Sequence, residues 1–142
     1  MNTLQYKALD AYQEWLDLPY QIHLTTRLPY SDQSAQQSNR WYARQVLTAL
    51  AAYLEVNLSA VSVIVTHNPR HVHSLLLCQD SAIHIGKVAY FFDSQQSFDN
   101  RAVVATAINE NTTAYVFKHL LAQEGSLHFF NRNYFVIKEQ LR

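Results

Sequence analysis

Two histidines separated by a single valine carry the clearest chemical signal in the sequence. His71 and His73 open an apolar run that ends at Cys78, and this pattern predicts a β-strand. Because side chains alternate along a strand, both imidazoles lie on one face, where they can bind one divalent metal ion. The same alternation also fits two histidines on the polar side of a half-buried sheet.

A tyrosine and a lysine three positions apart form the second chemical group. Tyr115 and Lys118 lie in a stretch with helical character, and residues at i and i+3 share a helix face. A phenol and an ammonium can therefore approach one target, which together with two imidazoles indicates phosphodiester chemistry. The competing interpretation is that Tyr115 is a core aromatic and Lys118 a solvated helix charge.

The elements that must position these groups follow from the hydrophobic spacing and the turn residues. The pattern predicts helices over residues 3–17, 36–55 and 112–122, strands over 20–28, 61–66, 71–78 and 101–108, a loop over 29–34, a segment over 81–92 that is ambiguous between strand and helix, and a last hairpin over 127–137 that turns near residues 131–133. This order predicts an α+β domain, with an antiparallel sheet of about five strands in a ferredoxin- or RRM-like core packed against helices. Two further side chains, Trp41 and Cys78, are expected in the core.

The amino-acid composition limits the classes of protein to which this chain can belong. The 142 residues are 49% hydrophobic, which predicts one globular domain spanning 1–142. The two glycines form no glycine-rich phosphate loop, and the formal net charge of zero means that a polyanion must be held by a local patch. No signal-peptide core and no apolar stretch of roughly 20 residues occurs, so we expect a cytoplasmic protein that does not enter a membrane.

These groups, in this order, resemble the HUH endonucleases, which include rolling-circle replication initiators, relaxases and single-tyrosine insertion-sequence transposases. The matching parts are the strand with Thr25 and Thr26, the His71-Val72-His73 triplet, and Tyr115 followed by Lys118. The resemblance covers about residues 20–122. It is closest to the small plasmid and phage initiators, because a strand directly precedes the tyrosine helix, and the single-tyrosine transposases are the nearest competitor.

The resemblance implies a metal-dependent nicking and joining domain. His71 and His73 would hold Mn²⁺ or Mg²⁺, and Tyr115 would attack the scissile phosphate to form a 5′-phosphotyrosine, with Lys118 supplying positive charge. Family members commonly add an acidic residue or a glutamine as a third ligand, but residues 61–70 contain no Asp or Glu. His67 is the nearest replacement, and a set of three imidazoles would favour manganese or zinc over magnesium.

The implied partner is single-stranded or hairpin DNA. Candidate contacts with its phosphates and unpaired bases are Arg70, Arg101, Arg132, Tyr20 and Tyr30. Any unwinding would need a separate helicase, because the chain has no ATPase motif. The sequence indicates no oligomeric state.

Two other classes of function remain open. The missing carboxylate also fits a catalytically silent module that binds single-stranded or hairpin DNA. A 2H-type phosphoesterase is suggested by His23-Leu24-Thr25, which resembles one of that family's His-x-Thr motifs. The second copy of this motif is absent from the sequence.

Overall fold

The computed structural model describes residues 18–27, 36–65, 71–78, 81–94, 104–109, 111–121 and 125–131. In chain order, these residues form β1 (Ile22–Arg27), α1 (Gln36–Leu54), β2 (Leu58–Val65), β3 (His71–Cys78), α2 (Ile85–Ser94), β4 (Val104–Ala107), α3 (Thr112–Leu121) and β5 (Gly125–Phe130). The strands make one sheet in the order β4-β1-β3-β2-β5, and every neighbouring pair is antiparallel. The predicted α+β architecture with a five-stranded antiparallel sheet is therefore confirmed.

Helices cover both faces of this sheet. The side chains of Ile22, Leu24 and Ile64 pack with α1 and α2 on one face. Their alternate neighbours, such as Val63, pack with α3 on the other face. Since each strand alternates its side chains, the apolar runs of β2 and β3 are buried on both sides.

The long helix α1 has the predicted apolar stripe. Leu47 and Leu50 are buried against the sheet. The helix ends at Glu55, which has a positive φ of 54°, and backbone bonds from the Glu55 and Val56 amides reach the carbonyls of Ala52 and Ala51. This is the Schellman arrangement, formed here without glycine. Trp41, which the sequence placed in the core, is 58% exposed; that prediction is wrong because Trp41 lies off the apolar stripe.

The remaining elements agree with the sequence or resolve its ambiguity. The sequence also predicts that the strands over 61–66 and 71–78 pair as a hairpin, and β2 and β3 are antiparallel neighbours with Val65 opposite His71. The ambiguous segment 81–92 is helical from Ile85, and it buries Val88, Phe91 and Phe92 at helical spacing. Cys78 is a buried, reduced cysteine, as predicted.

Some predicted elements lie outside the described residues. These are the helix over 3–17, the loop over 29–34, the turn that the sequence predicts over 67–70 and the part of the last hairpin beyond residue 131. Within the described part of the chain, no helix is long and apolar enough to cross a bilayer.

The start of β5 depends on a glycine. A Cβ at Gly125 would lie 2.9 Å from the Ile64 carbonyl oxygen and 3.0 Å from Val63 Cγ1. The backbone oxygen cannot retreat without disturbing the β2–β5 ladder, so we expect Gly125→Ala to lower the free energy of unfolding by about 1–3 kcal/mol, measured by urea denaturation.

Gly86 provides the matched control for this substitution. A Cβ there meets no atom within 4 Å, and the residue lies in α2. We therefore expect Gly86→Ala to raise stability by about 0.5–1 kcal/mol. Equal effects of the two substitutions would contradict the steric argument.

Candidate functional site

The paired histidines lie where the central strand β3 begins, on the α3 face of the sheet. His73 is opposite Thr25 of β1 and Val63 of β2, and it is buried with 3% of its surface exposed. His71 is half-buried at the strand end. Their Nε2 atoms are 2.9 Å apart, so the two imidazoles share one face, as the alternation predicted.

This separation suits two ligands of one metal ion. Two nitrogens bound at about 2.1 Å that subtend about 90° at the metal lie roughly 3.0 Å apart, which is close to the observed 2.9 Å. The same two lone pairs can also share one proton. Among the described residues, no group of three or more His, Cys, Asp or Glu side chains is placed to hold a metal, so two imidazoles are the ligand pair that the structure brings together.

A third imidazole supports this pair from the neighbouring strand. His23 Nε2 lies 2.9 Å from His73 Nδ1, and the two ring centroids are 5.0 Å apart. Thr25 Oγ1 is within 3.4 Å of both nitrogens. If His73 Nδ1–H donates to His23, the Nε2 of His73 keeps its lone pair toward His71, which is how outer partners commonly orient metal-binding histidines.

Burial keeps His23 suited to accepting that hydrogen bond. Removal from water lowers the pKa of His23 below its ordinary value, and the charge of protonated His71 lowers this pKa further. A neutral ring retains a nitrogen lone pair, whereas an imidazolium has only donors. The neutral state therefore favours donation from His73 to His23.

The short connection from β4 to α3 fixes where the tyrosine helix begins. Asn109 Oδ1 accepts hydrogen bonds from the Asn111 amide at 2.9 Å and from the Thr112 hydroxyl at 3.2 Å. In return, the Asn109 amide donates to Thr112 Oγ1 at 3.0 Å. These bonds satisfy groups at the helix start, so Tyr115 lies in the first turn of α3.

The inner side of α3 anchors it to the sheet. Val116 and Phe117 are fully buried against Val61, Val63 and Leu75. Each such side chain contributes roughly 1.5–3 kcal/mol through burial. With 116 and 117 facing the core, residues 115 and 118 lie along the exposed edge of the helix.

The tyrosine, the lysine and the histidines meet at this edge. The Tyr115 ring stands edge-on to the His73 ring, with centroids 5.7 Å apart, and it is 48% exposed. Lys118 Nζ lies 4.1 Å from the centroid of the Tyr115 ring. The predicted sharing of a helix face by Tyr115 and Lys118 is confirmed, and the structure brings the Tyr115 ring beside His73.

The sequence did not assign two residues, His23 and Arg27, to this site, although His23 belongs to the His-x-Thr motif noted above. His23 and Arg27 project to the same face as Thr25, because all three are alternate residues of β1. Arg27 is opposite His71 in the β1–β3 register and is exposed, so this residue lies at the edge of the site. In the sequence, Ile22 and Leu24 alternate with polar residues, which indicates that those polar residues share one face of β1. The pairing of β1 with β3 is visible only in the structure.

The other predicted site residues are placed differently. Tyr20 is 7% exposed and packs in the core under α3; burial of its ring corrects the prediction that it stacks on DNA bases. Five further candidates lie outside the described residues: His67, Arg70, Arg101, Arg132 and Tyr30.

Comparison of the chain with protein families, with curated proteins and with solved structures gave no match in any of the three.

Proposed function

We propose that this protein nicks and rejoins single-stranded DNA through a 5′-phosphotyrosine on Tyr115. One observation carries the proposal: a half-exposed tyrosine lies 5.7 Å, ring to ring, from one of two histidines whose Nε2 atoms are 2.9 Å apart. Tyr115 is distant in sequence from both histidines, and the approach of its ring to one member of a candidate metal-binding pair supports a role for Tyr115 as the nucleophile.

The proposed step is a transfer of the phosphoryl group from one oxygen to another. The Tyr115 oxygen attacks the scissile phosphorus, and the bond from phosphorus to the 3′-oxygen breaks. The phenol loses its proton and the departing 3′-oxygen gains one, so the products are a 5′-phosphotyrosyl strand and a free 3′-hydroxyl. Attack by a 3′-hydroxyl on the phosphotyrosine reverses the step and rejoins DNA.

The side chains around Tyr115 fit the charge that develops in this step. A divalent ion held by His71 and His73 would offset negative charge on a non-bridging phosphate oxygen. Lys118, whose ammonium lies 4.1 Å from the centroid of the Tyr115 ring, would add a second positive charge near the reacting phosphate. Arg27, opposite His71, can hold the next phosphate of the strand.

Rolling-circle initiation of a plasmid or phage is the favoured setting. The observation that supports it over transposition is that β4 leads directly through Asn109 into the tyrosine helix, the strand-then-helix layout of the small initiators that the sequence resembles. Replicating DNA would place the protein in the cytoplasm, and strand separation would fall to a helicase partner.

The proposal is tested without knowing the recognised sequence. A pool of random single-stranded and hairpin oligonucleotides labelled at the 3′ end is incubated with the protein and Mn²⁺, Mg²⁺ or Zn²⁺ in turn. The fragment carrying the new 5′ end should remain attached to the protein on a denaturing gel. Digestion of the protein and sequencing of the attached fragments then identifies the cleavage site.

His23 acts in this proposal as a positioning residue. We expect His23→Ala to weaken Mn²⁺ binding by about 10–100-fold, the usual effect of losing an outer partner of a metal ligand, because His73 would lose the acceptor that directs its Nε2 toward His71. Titration calorimetry measures this affinity. His23→Asn should recover part of it, since an amide oxygen can accept from the Nδ1–H of His73.

His84→Ala is the control for the loss of one imidazole. His84 is exposed and precedes α2, on a segment outside the site. Its substitution should leave Mn²⁺ affinity unchanged. If His23→Ala behaves like His84→Ala, the contact between His23 and His73 has no role in metal binding.

A further inference from the structure

A cleft of about 60 Å³ lies between α1 and strands β2 and β5, on the sheet face opposite Tyr115. Its polar lining comes from Arg40 and Arg44 of α1, Ser62 of β2 and His128 of β5. Ser62 and His128 are direct cross-strand partners. The volume is several times the roughly 10–15 Å³ that one water requires, so a phosphate group can enter.

The cleft concentrates positive charge. Among the described residues that line it, two are arginines, one is a histidine and none is acidic. Arg40 and Arg44 are one helical turn apart and exposed, so both guanidiniums can reach one anion. Burial lowers the pKa of His128, and the positive charge of Arg40 lowers it further, which shows that the imidazole and this guanidinium are close enough to repel when both are charged. An anion between them would relieve that repulsion.

Hydroxyl groups extend the polar lining into the sheet. Ser62 Oγ and Ser74 Oγ are buried and 2.8 Å apart, and Ser126 Oγ is 2.8 Å from His128 Nε2. Hydroxyls can donate to phosphate oxygens as well as to each other. Ser62 therefore adds a hydroxyl to a lining that also contains apolar side chains such as Ile64 and Phe130.

An exposed tryptophan adjoins the basic pair. Trp41 is 58% exposed and lies three residues before Arg44, so the two side chains are neighbours on the surface of α1. A large exposed aromatic beside cationic groups is the usual platform for an unpaired base. This neighbour distinguishes the cleft from a site for a free inorganic anion.

We propose that this cleft binds a backbone phosphate of single-stranded DNA while Trp41 stacks on the adjoining base. Arg40, Arg44 and His128 hold the phosphate, and Ser62 donates to it from the cleft floor. The contact goes beyond the nicking reaction, because it lies on the opposite face of the sheet and needs neither Tyr115 nor a metal. It gives the protein a second contact with the single-stranded DNA.

The test uses metal-free Tyr115→Phe protein, so that cleavage cannot affect the result. Binding of a fluorescein-labelled oligothymidylate is followed by anisotropy at several salt concentrations. Arg40→Gln and Arg44→Gln should each weaken binding severalfold and reduce the slope of log affinity against log salt by about 0.7, the value for one phosphate contact on a single strand. Trp41→Ala should weaken binding about fivefold or more.

Lys87→Gln is the matched control, because it removes one exposed positive charge from α2 outside the cleft. It should leave both the affinity and the salt slope unchanged. The oligothymidylate should also quench tryptophan fluorescence, and Trp41→Phe should remove that quenching while circular dichroism confirms an unchanged fold.

Two results would overturn the proposal. One is that Arg40→Gln and Arg44→Gln bind the strand with the affinity and salt slope of Lys87→Gln. The other is that inorganic phosphate or thymidine monophosphate displaces the oligothymidylate when present at the same concentration as the oligothymidylate. That result would identify a site for a small free anion. Because all arms omit metal and use Tyr115→Phe, failure of the nicking proposal leaves this result unaffected.

Discussion

Tyr115→Phe is expected to abolish the covalent protein–DNA adduct while leaving the fold and DNA binding intact. The substitution removes the one oxygen that attacks phosphorus in the proposed step, so the rate of adduct formation should fall by at least about a thousandfold, as for removal of other covalent nucleophiles. The phenylalanine ring can keep the edge contact with His73 and the contact with Lys118. Thermal unfolding should accordingly change little.

Two other exposed tyrosines serve as controls for this result. Tyr53 and Tyr90 are 42% and 63% exposed and lie on α1 and α2, the helices that cover the opposite face of the sheet. Tyr53→Phe and Tyr90→Phe should form adduct at the wild-type rate. An adduct formed by Tyr115→Phe would refute the assignment, and failure of wild-type protein to form any adduct with the random pool would favour the binding-only module.

Local periodicity predicted most of the fold and half of the site. The stripe of Leu47 and Leu50 defined α1, and the spacing of Tyr115 and Lys118 predicted their shared helix face. These inferences succeeded because they concern residues within two turns of one element, where geometry follows from the backbone alone. The shared face of the paired histidines on β3 was predictable for the same reason.

The residues that the sequence did not reveal depend on contacts between distant segments. His23 meets His73 across 50 positions, through a register that no local pattern encodes, because a shift of one residue would reverse the faces of β1. Arg27 was not assigned to the site for the same reason, because its position opposite His71 depends on the register of β1 with β3. The cleft between α1 and β5 likewise joins residues separated by more than 80 positions.

Trp41 shows a different limit of predicting burial from sequence. Its size and hydrophobicity favoured a core position, but its position around the axis of α1 leaves it exposed. The stripe through Leu47 and Leu50 faces the sheet, and Trp41 points away from it with 58% of its surface exposed. A tryptophan with more than half of its surface exposed is more informative about binding than about folding. Tyr20 is the opposite case, because its phenol suggested a surface role and its ring is buried.

The second large effect is expected from the ligand pair. A His71→Ala, His73→Ala double variant should lose Mn²⁺ binding in calorimetric titration and lose adduct formation, because it removes both nitrogens that lie 2.9 Å apart. The double variant should also be less stable. His73 is buried, and its removal leaves a void and deprives His23 of its partner, at a cost of about 1–3 kcal/mol.

Separating metal loss from unfolding requires the single His71 variant. His71 is half-buried at the end of β3, so His71→Ala should unfold near the wild-type temperature while its Mn²⁺ affinity falls at least about tenfold. His128→Ala removes an equally half-buried imidazole from the opposite face and should retain Mn²⁺ binding. Unchanged Mn²⁺ binding in the double variant would show that the ion, if required, is held elsewhere in the chain. Metal loss in a folded His71→Ala protein would instead identify the pair on β3 as the centre around which His23, Tyr115 and Lys118 are arranged.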